Sequence, residues 1–248
     1  MCGRISLNTP TEVLAAFFGV RLPAAHSPRY NIAPSQPTLI LRRDDTHPGA
    51  LAALARWGFV PAWRRTGTPG PAPINARAET AAQSRLFAEA LRRRRCVVPA
   101  SGFYEWQAAA PRGKRPFHIS STRAEPLALA GLWSPPAAGC DLPTFAVLTC
   151  PPNAVMRPIH DRMPVVLARE DVDAWLDPAC DPATIDALLR PAPDDALVAR
   201  EVSTRVNSPA HDDPACLEPP PPPPPPSPSP STQSSTSRPA PSTPTLFD

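Results

Sequence analysis

The chain has 248 residues, with 25 Lys and Arg against 22 Asp and Glu, a net charge of +3. That mild basic bias is compatible with a nucleic-acid partner without specifying one. No apolar run approaches the roughly 20 residues that a membrane-spanning helix needs, and no signal-peptide pattern is present. The six cysteines (2, 96, 140, 150, 180 and 216) form no CxxC pair, and the five histidines form no HExxH or HxxxH pair. No metal site or disulfide framework is expected, and the protein reads as cytoplasmic with reduced thiols.

Taken in order, Cys2–Leu7 alternates and reads as a short strand. Thr9-Pro10-Thr11-Glu12 resembles a capping box with Thr9 as N-cap, and predicts a helix over Pro10–Phe18 stopped by Gly19. Pro28–Pro37 reads as loop. Thr38–Arg42 and Leu51–Phe59 read as strands of a hairpin around His47-Pro48-Gly49. Ala62–Pro73, rich in Pro and Gly, is loop again. A helix is predicted from Ala81 to Arg93 with Leu86, Phe87 and Leu91 on its apolar side. The run Arg92–Arg95 suits the negative end of that helix.

Further on, Cys96–Pro99, Gly102–Gln107, Phe117–Ser120, Leu127–Leu132, Thr144–Thr149 and Val165–Leu167 read as strands. Short helices follow near Asp171–Leu176 and Pro182–Leu189, then a last strand over Ala196–Val202. Strands dominate and no βαβ rhythm appears. The pattern predicts an α+β fold with a mostly antiparallel, barrel-like β core and a few peripheral helices. From Glu218 the composition changes: Pro219–Pro226 is an unbroken proline run followed by Ser, Thr and Pro. Such a segment has too few apolar groups to offset the entropy of ordering. One domain over residues 2–217 and a disordered tail over 218–248 are expected.

The chemistry begins at Met1-Cys2-Gly3-Arg4. Initiator methionine is normally trimmed before a small residue, which leaves Cys2 with an α-amine and a thiol on one residue. An amine condenses with an aldehyde to an imine, and the neighbouring thiol then closes a five-membered thiazolidine. An α-amine has a pKa of about 8, so roughly a tenth is neutral near pH 7. Lysine is the usual Schiff-base amine, but Lys114 is the only lysine and sits in the solvated, turn-like stretch Pro111–Arg115. An ordinary small residue behind a start methionine would look the same as Cys2, so this position alone does not decide.

Three further polar segments sit where local structure does not require them: Asn75-Ala76-Arg77-Ala78-Glu79-Thr80, Gly102-Phe103-Tyr104-Glu105-Trp106 and Pro158-Ile159-His160-Asp161-Arg162-Met163-Pro164. Glu105, flanked by aromatic residues, is a carboxyl whose pKa burial would raise toward neutrality. It is equally a glutamate alternating out of a strand. His160 titrates in the range useful for moving protons, although a lone histidine is often structural. Asp161 either orients the His160 ring or pairs with Arg162. Asn75 offers an amide that holds an amine or hydroxyl without changing charge, or simply a turn.

These segments, with Arg29-Tyr30-Asn31-Ile32-Ala33-Pro34, Trp57-Gly58 and Ser203-Thr204-Arg205-Val206-Asn207, resemble in order the signature blocks of the SRAP (SOS-response associated peptidase) family. The resemblance covers about residues 2–217. It implies a covalent trap for abasic sites in single-stranded DNA, active in the DNA-damage response without a cofactor and near the nucleoid. Cys2 would be the bifunctional nucleophile, Glu105 the acid–base group that opens the sugar, His160 a proton shuttle and Asn75 a positioner. Arg4, Arg77 and Arg162 would contact phosphates, and Trp63 would stack on a base or wedge a strand junction. AP lyase and self-processing peptidase activities are also implied.

Two rival readings keep the same residues. In one, Cys2, His160 and Asn75 form a cysteine-peptidase arrangement. In the other, Arg77 and Trp63 bind single-stranded DNA without catalysis. The chain is expected to act as a monomer. Its ending, Pro244-Thr245-Leu246-Phe247-Asp248, resembles peptides that dock on bacterial sliding clamps, although the usual upstream glutamine is absent.

Overall fold

The computed structural model describes residues 2–22, 27–43, 49–64, 70, 72–109, 113–136 and 141–222. In chain order the strands are β1 (Ile5–Leu7), β2 (Arg29–Ile32), β3 (Pro37–Arg42), β4 (Leu51–Trp57), β5 (Asn75–Arg77), β6 (Arg95–Ala100) and β7 (Gly102–Ala108). They continue with β8 (Lys114–Ser121), β9 (Leu127–Ser134), β10 (Thr144–Cys150), β11 (Met163–Pro164), β12 (Val166–Leu167) and β13 (Leu197–Glu201). The helices are short: α1 (Thr11–Phe18), α2 (Ala78–Ala81), α3 (Ala88–Arg93), α4 (Val172–Leu176) and α5 (Pro182–Leu188). Single 3₁₀ turns cover Arg169–Asp171, Thr204–Asn207 and Pro214–Leu217. Among the described residues no helix is long and apolar enough to cross a membrane.

Two sheets result. One is antiparallel in the order β13-β8-β7-β1-β2. The other runs β10-β4-β3-β6-β9 and closes on itself, because β9 also pairs with β10 from Thr144↔Ser134 to Val147↔Gly131. Closure removes the free edges an open sheet would expose. The mostly antiparallel, barrel-like core with few helices is therefore as expected. Strands β6 and β10 are buried along their whole length, which requires cover on both faces and explains their continuous apolar character. Trp57 and Phe145 stack in the core with ring centroids 5.9 Å apart, and Trp57 Nε1 donates to Ile74 O at 2.9 Å. Each such side chain fully buried contributes roughly 1.5–3 kcal/mol.

Strand β10 sets the position of the site. Along one edge its first residues pair in parallel with the end of β4 (Phe145↔Trp57), and its later ones pair in parallel with β5 (Val147↔Asn75, Thr149↔Arg77). Along the other edge β9 gives way to β11 (Thr149↔Pro164). The far end of β10 thus lies between the Asn75 segment and the segment that follows His160.

Several local expectations change. The stretch Pro28–Pro37 contains β2, because Asp212 Oδ1 accepts from the backbone N–H groups of Tyr30 (2.6 Å) and Asn31 (2.8 Å) and holds the chain extended. The single helix over Ala81–Arg93 is two helices, α2 and α3, separated by turns. Between them Phe87 N donates to Ser84 O at 3.1 Å, and the Phe87 ring meets Phe59 at 5.2 Å. Tertiary packing of the aromatic ring overrides the helical period there. The capping box does not form. The Thr9 hydroxyl lies 2.6 Å from Ser101 Oγ, which also accepts from the Asn8 and Thr9 backbone, and α1 begins one residue later than expected. Gly19 ends α1 at φ 64°, in the left-handed region that favours glycine.

In the Arg92–Arg95 run, Arg92 and Arg93 occupy the last turn of α3 as the dipole argument anticipates. Arg95 is instead buried, and its Nη1 donates to the terminal carbonyls of Leu91 (2.7 Å) and Arg92 (2.9 Å). His47 and Pro48 of the expected hairpin turn lie outside the described residues, while the β3–β4 pairing they join is present. The last element ends at Leu217. Most of the expected tail, with Leu246 and Phe247, also lies outside the described residues.

Candidate active site

Cys2, Asn75, Glu105 and His160 come from four distant parts of the chain and meet in the seam between the two sheets. Cys2 precedes β1 and is fully buried. Asn75 opens β5 and donates from Nδ2 to Cys2 O at 2.8 Å. Its Oδ1 is buried with no hydrogen-bond partner among the described residues. Such an acceptor costs free energy unless something donates to it. Strand β7 is antiparallel to β1 through Ile5↔Phe103 and Ser6↔Gly102, and Tyr104 N donates to Arg4 O at 2.9 Å. Continuing that register sets Gly3 opposite Glu105.

Glu105 is only 3% exposed. Burial raises its carboxyl pKa, partly opposed by the positive charge of the chain's N-terminus and then by His160. His160 Nε2 lies 4.0 Å from Glu105 Oε2. On its other side the Nδ1 atom accepts from Arg162 N at 3.0 Å and lies 2.9 Å from Asp161 Oδ1. Asp161 therefore meets His160, while Arg162 takes a different carboxylate. The Cys2 thiol pKa is pushed up, first by burial and then by the nearby Glu105 charge. A cleft of about 500 Å³ adjoins the site, lined by Gln107, Arg157, Pro158, His160 and Asp161 among others. A larger one of about 970 Å³ lies between α3 and α5 and contains none of these groups.

The residues expected to contact DNA fall into different settings. Arg77 is exposed at the end of β5, beside Asn75. Trp63 is 67% exposed in the turn after β4. Arg4 is 9% exposed. Its Nη1 donates to Asn31 Oδ1 and Val206 O, both at 2.6 Å, and its guanidinium lies over the Trp106 ring at 5.6 Å. No carboxylate among the described residues pairs with Arg4, and its Nε has no partner. Arg162 is tied to Glu79, with Nη2–Oε2 at 2.9 Å, and to Thr149 O at 2.6 Å.

Sequence reasoning missed the residues that hold these groups. Asn31 is fully buried; besides accepting from Arg4 it donates to Val206 O, Ser208 O (3.0 Å) and His211 O (2.6 Å). Asp212 pairs with Arg29, and Trp106 Nε1 donates to Asn207 Oδ1 at 2.7 Å. A strap over residues 203–217 thereby anchors Arg4. Asn31, Glu79 and Asn207 all lie inside the recurring sequence blocks, which was the available signal.

A closed barrel joined to an antiparallel sheet, with a near-terminal cysteine, a buried glutamate and a histidine in their shared seam, defines the class. The chain matches the SOS response associated peptidase (SRAP) family over residues 1–209 and belongs to it. It is 38% identical over 225 residues to the abasic site processing protein YoqW of Bacillus subtilis, covering 88% of this chain and 99% of that one. It is 31% identical over 270 residues to the abasic site processing protein HMCES of Mus musculus, covering 88% and 76%. Among solved structures, a phage-related protein of Bordetella bronchiseptica is similar with 31% identity and a TM-score of 0.65, covering 81% and 94%. A Bacteroides thetaiotaomicron protein shares the fold at 24% identity and a TM-score of 0.77, covering 88% and 99%.

Proposed function

We propose that this protein captures abasic sites in single-stranded DNA as a thiazolidine on Cys2, once Met1 has been removed. The observation that carries the reading is the seam itself: Cys2 held at 2.8 Å by Asn75, beside a Glu105–His160 pair 4.0 Å apart. The relatives named above as abasic site processing proteins supply the substrate class.

An abasic sugar is mostly a closed hemiacetal. Glu105, with its pKa raised by burial, gives a proton to the ring oxygen while the anomeric hydroxyl loses one, and the aldehyde is released. The α-amine of Cys2 adds to that aldehyde, and the carbinolamine expels water as His160 and Glu105 move the proton. The thiol then adds to the imine carbon, its proton passes to nitrogen, and one water has been lost overall. The unpartnered Asn75 Oδ1 suits an N–H of that amine or a sugar hydroxyl. Diversion of the imine to β-elimination gives slow strand cleavage. Arg77, and Arg4 with its uncompensated charge, supply phosphate contacts, and Trp63 a stacking face.

A cysteine-peptidase reading needs a thiolate, hence a lowered thiol pKa. Burial and Glu105 push Cys2 the other way, which favours the amine as first nucleophile.

The test combines intact mass with capture of abasic single-stranded oligonucleotide. Wild type should lack the Met1 mass and give a heat-stable adduct. Cys2→Ser should give only a reversible imine, trapped by borohydride. A Cys2→Ser adduct as abundant and heat-stable as wild type, or full capture with Met1 retained, overturns the mechanism. A contact of Leu246 and Phe247 with the sliding clamp is part of the proposal, and absence of binding by the isolated tail peptide to the cognate clamp removes it.

A further inference from the structure

Arg162 stands apart from the other arginines of the site because its charge is already spent within the protein. Its side chain is 16% exposed and forks onto both carboxylate oxygens of Glu79, and Nη2 also donates to Thr149 O. A planar guanidinium held bidentately has a fixed orientation. The Glu79 carboxyl pKa is correspondingly lowered by the bond to Arg162. Glu79 lies on α2, directly after β5, and Thr149 lies on β10 opposite Arg77. One side chain thus ties the segment after His160 to the strand pair that carries Asn75.

The consequence falls on His160. The backbone N–H of Arg162 donates to His160 Nδ1 at 3.0 Å. A nitrogen that accepts there carries no proton, so the ring proton of the neutral imidazole resides on Nε2, the atom 4.0 Å from Glu105 Oε2. Asp161 Oδ1 lies 2.9 Å from the same Nδ1 and is the competing partner for it. Its side chain is almost fully exposed, so water competes for it, whereas the Arg162 amide is fixed by the chain. Among the described residues, Glu105 from β7 and Asp161 from its own segment face the ring, Arg157 lines the same cleft, and Glu79 acts through Arg162.

We propose that Arg162 is a positioning residue: clamped by Glu79 and Thr149, it holds its own backbone N–H against His160 Nδ1 and so aims the Nε2–H of His160 at Glu105. The proposal rests on the capture reading above and assigns how its proton shuttle is kept in one tautomer.

The experiment compares wild type, Arg162→Met and Glu79→Ala by three measurements. They are ¹⁵N NMR of the His160 ring at neutral pH, the single-turnover capture rate at saturating abasic DNA, and the salt dependence of DNA binding. Loss of the clamp should lower the Nε2–H population in both variants. It should slow capture about tenfold, a part of the roughly 10²–10⁴ that a positioned acid–base group contributes. The slope of log affinity against log salt should be unchanged. A slope smaller by about 0.7, the value for one phosphate on a single strand, with an unchanged saturated rate, makes Arg162 a DNA contact and overturns the proposal. An unchanged tautomer in both variants also overturns it. Should Arg162→Met fail to fold, Glu79→Ala decides, since Glu79 is half-exposed and its removal leaves the Thr149 bond. The NMR measurement needs no DNA, so failure of wild type to capture abasic sites rejects the proposed function and not this assignment.

Discussion

In the closed barrel, β6 and β10 are buried from end to end and aromatic rings such as Trp57 and Phe145 fill the interior. Beside it, the seam between β1 and β7 of the open sheet and the β5–β10 pair buries Glu105, while Arg4 and Asn31 are buried on the other face of the open sheet, under the strap over residues 203–217. The barrel gains from every apolar group it removes from water. The seam removes charged and amide groups from water and recovers that cost only where hydrogen bonds are complete. Arg4 Nε, Asn75 Oδ1 and Arg162 Nε lack partners among the described residues. The barrel draws its stability from apolar burial, whereas the polar groups around the site are buried at a cost that only hydrogen bonds or a bound partner can offset.

The sharpest way to break this comparison is Glu105→Gln. Capture should slow by about 10²–10⁴-fold, the contribution of a positioned acid–base group, while stability moves the opposite way. Burial holds the Glu105 pKa above its unfolded value of about 4.3, so between the two values the native state binds more protons than the unfolded chain. Wild type therefore loses stability as pH rises through that window, and the glutamine variant does not. Melting temperatures against pH should diverge in favour of Glu105→Gln above about pH 4. Parallel curves would show that the carboxyl is not strained by burial.

Phe145→Ala tests the other side. Loss of the ring and the cavity it leaves should cost about 3–5 kcal/mol in urea unfolding, while the folded fraction keeps its capture rate at saturating DNA. A rate loss comparable to that of Glu105→Gln would mean that barrel and seam are not separable. Asn31→Ala lies between the two. It strips one buried amide from Arg4 and three carbonyls and should cost about 1–3 kcal/mol, yet slow capture more than Phe145→Ala does. Equal rates for the two variants would deny the strap its role. Smallest is Arg77→Ala, exposed at the edge of the seam. Its melting temperature should stay within the effect of about ±0.5 kcal/mol usual for surface changes. Its salt slope for single-stranded DNA should fall by about 0.7.

Alternation and composition are local properties, and they made most strands between Thr38 and Val202, the Gly19 stop and the α+β class legible in the sequence, but not the short strands β5 and β11, which exist by pairing with β10. Cys2, Glu105 and His160 were singled out as candidates by the resemblance of their segments to the SRAP blocks, since residue type and immediate neighbours alone left each with an ordinary structural reading. Strand β2 was not legible, because what extends Arg29–Ile32 is Asp212, some 180 residues away. The break between α2 and α3 was hidden because Phe87 answers to Phe59 and not to its own helical period.

The site was legible as a set of residues and illegible as a geometry. Residues 2, 75, 105 and 160 meet only because β10 pairs with β5 on one edge and with β11 on the other, while β7 lies along β1. The surroundings of the arginines were decided the same way. A guanidinium reads alike in any sequence, and only the fold sets Arg162 on Glu79, Arg4 on Asn31 and Arg77 in solvent. Residue chemistry is carried by the chain itself, whereas partnership requires long-range pairing, which no local pattern encodes.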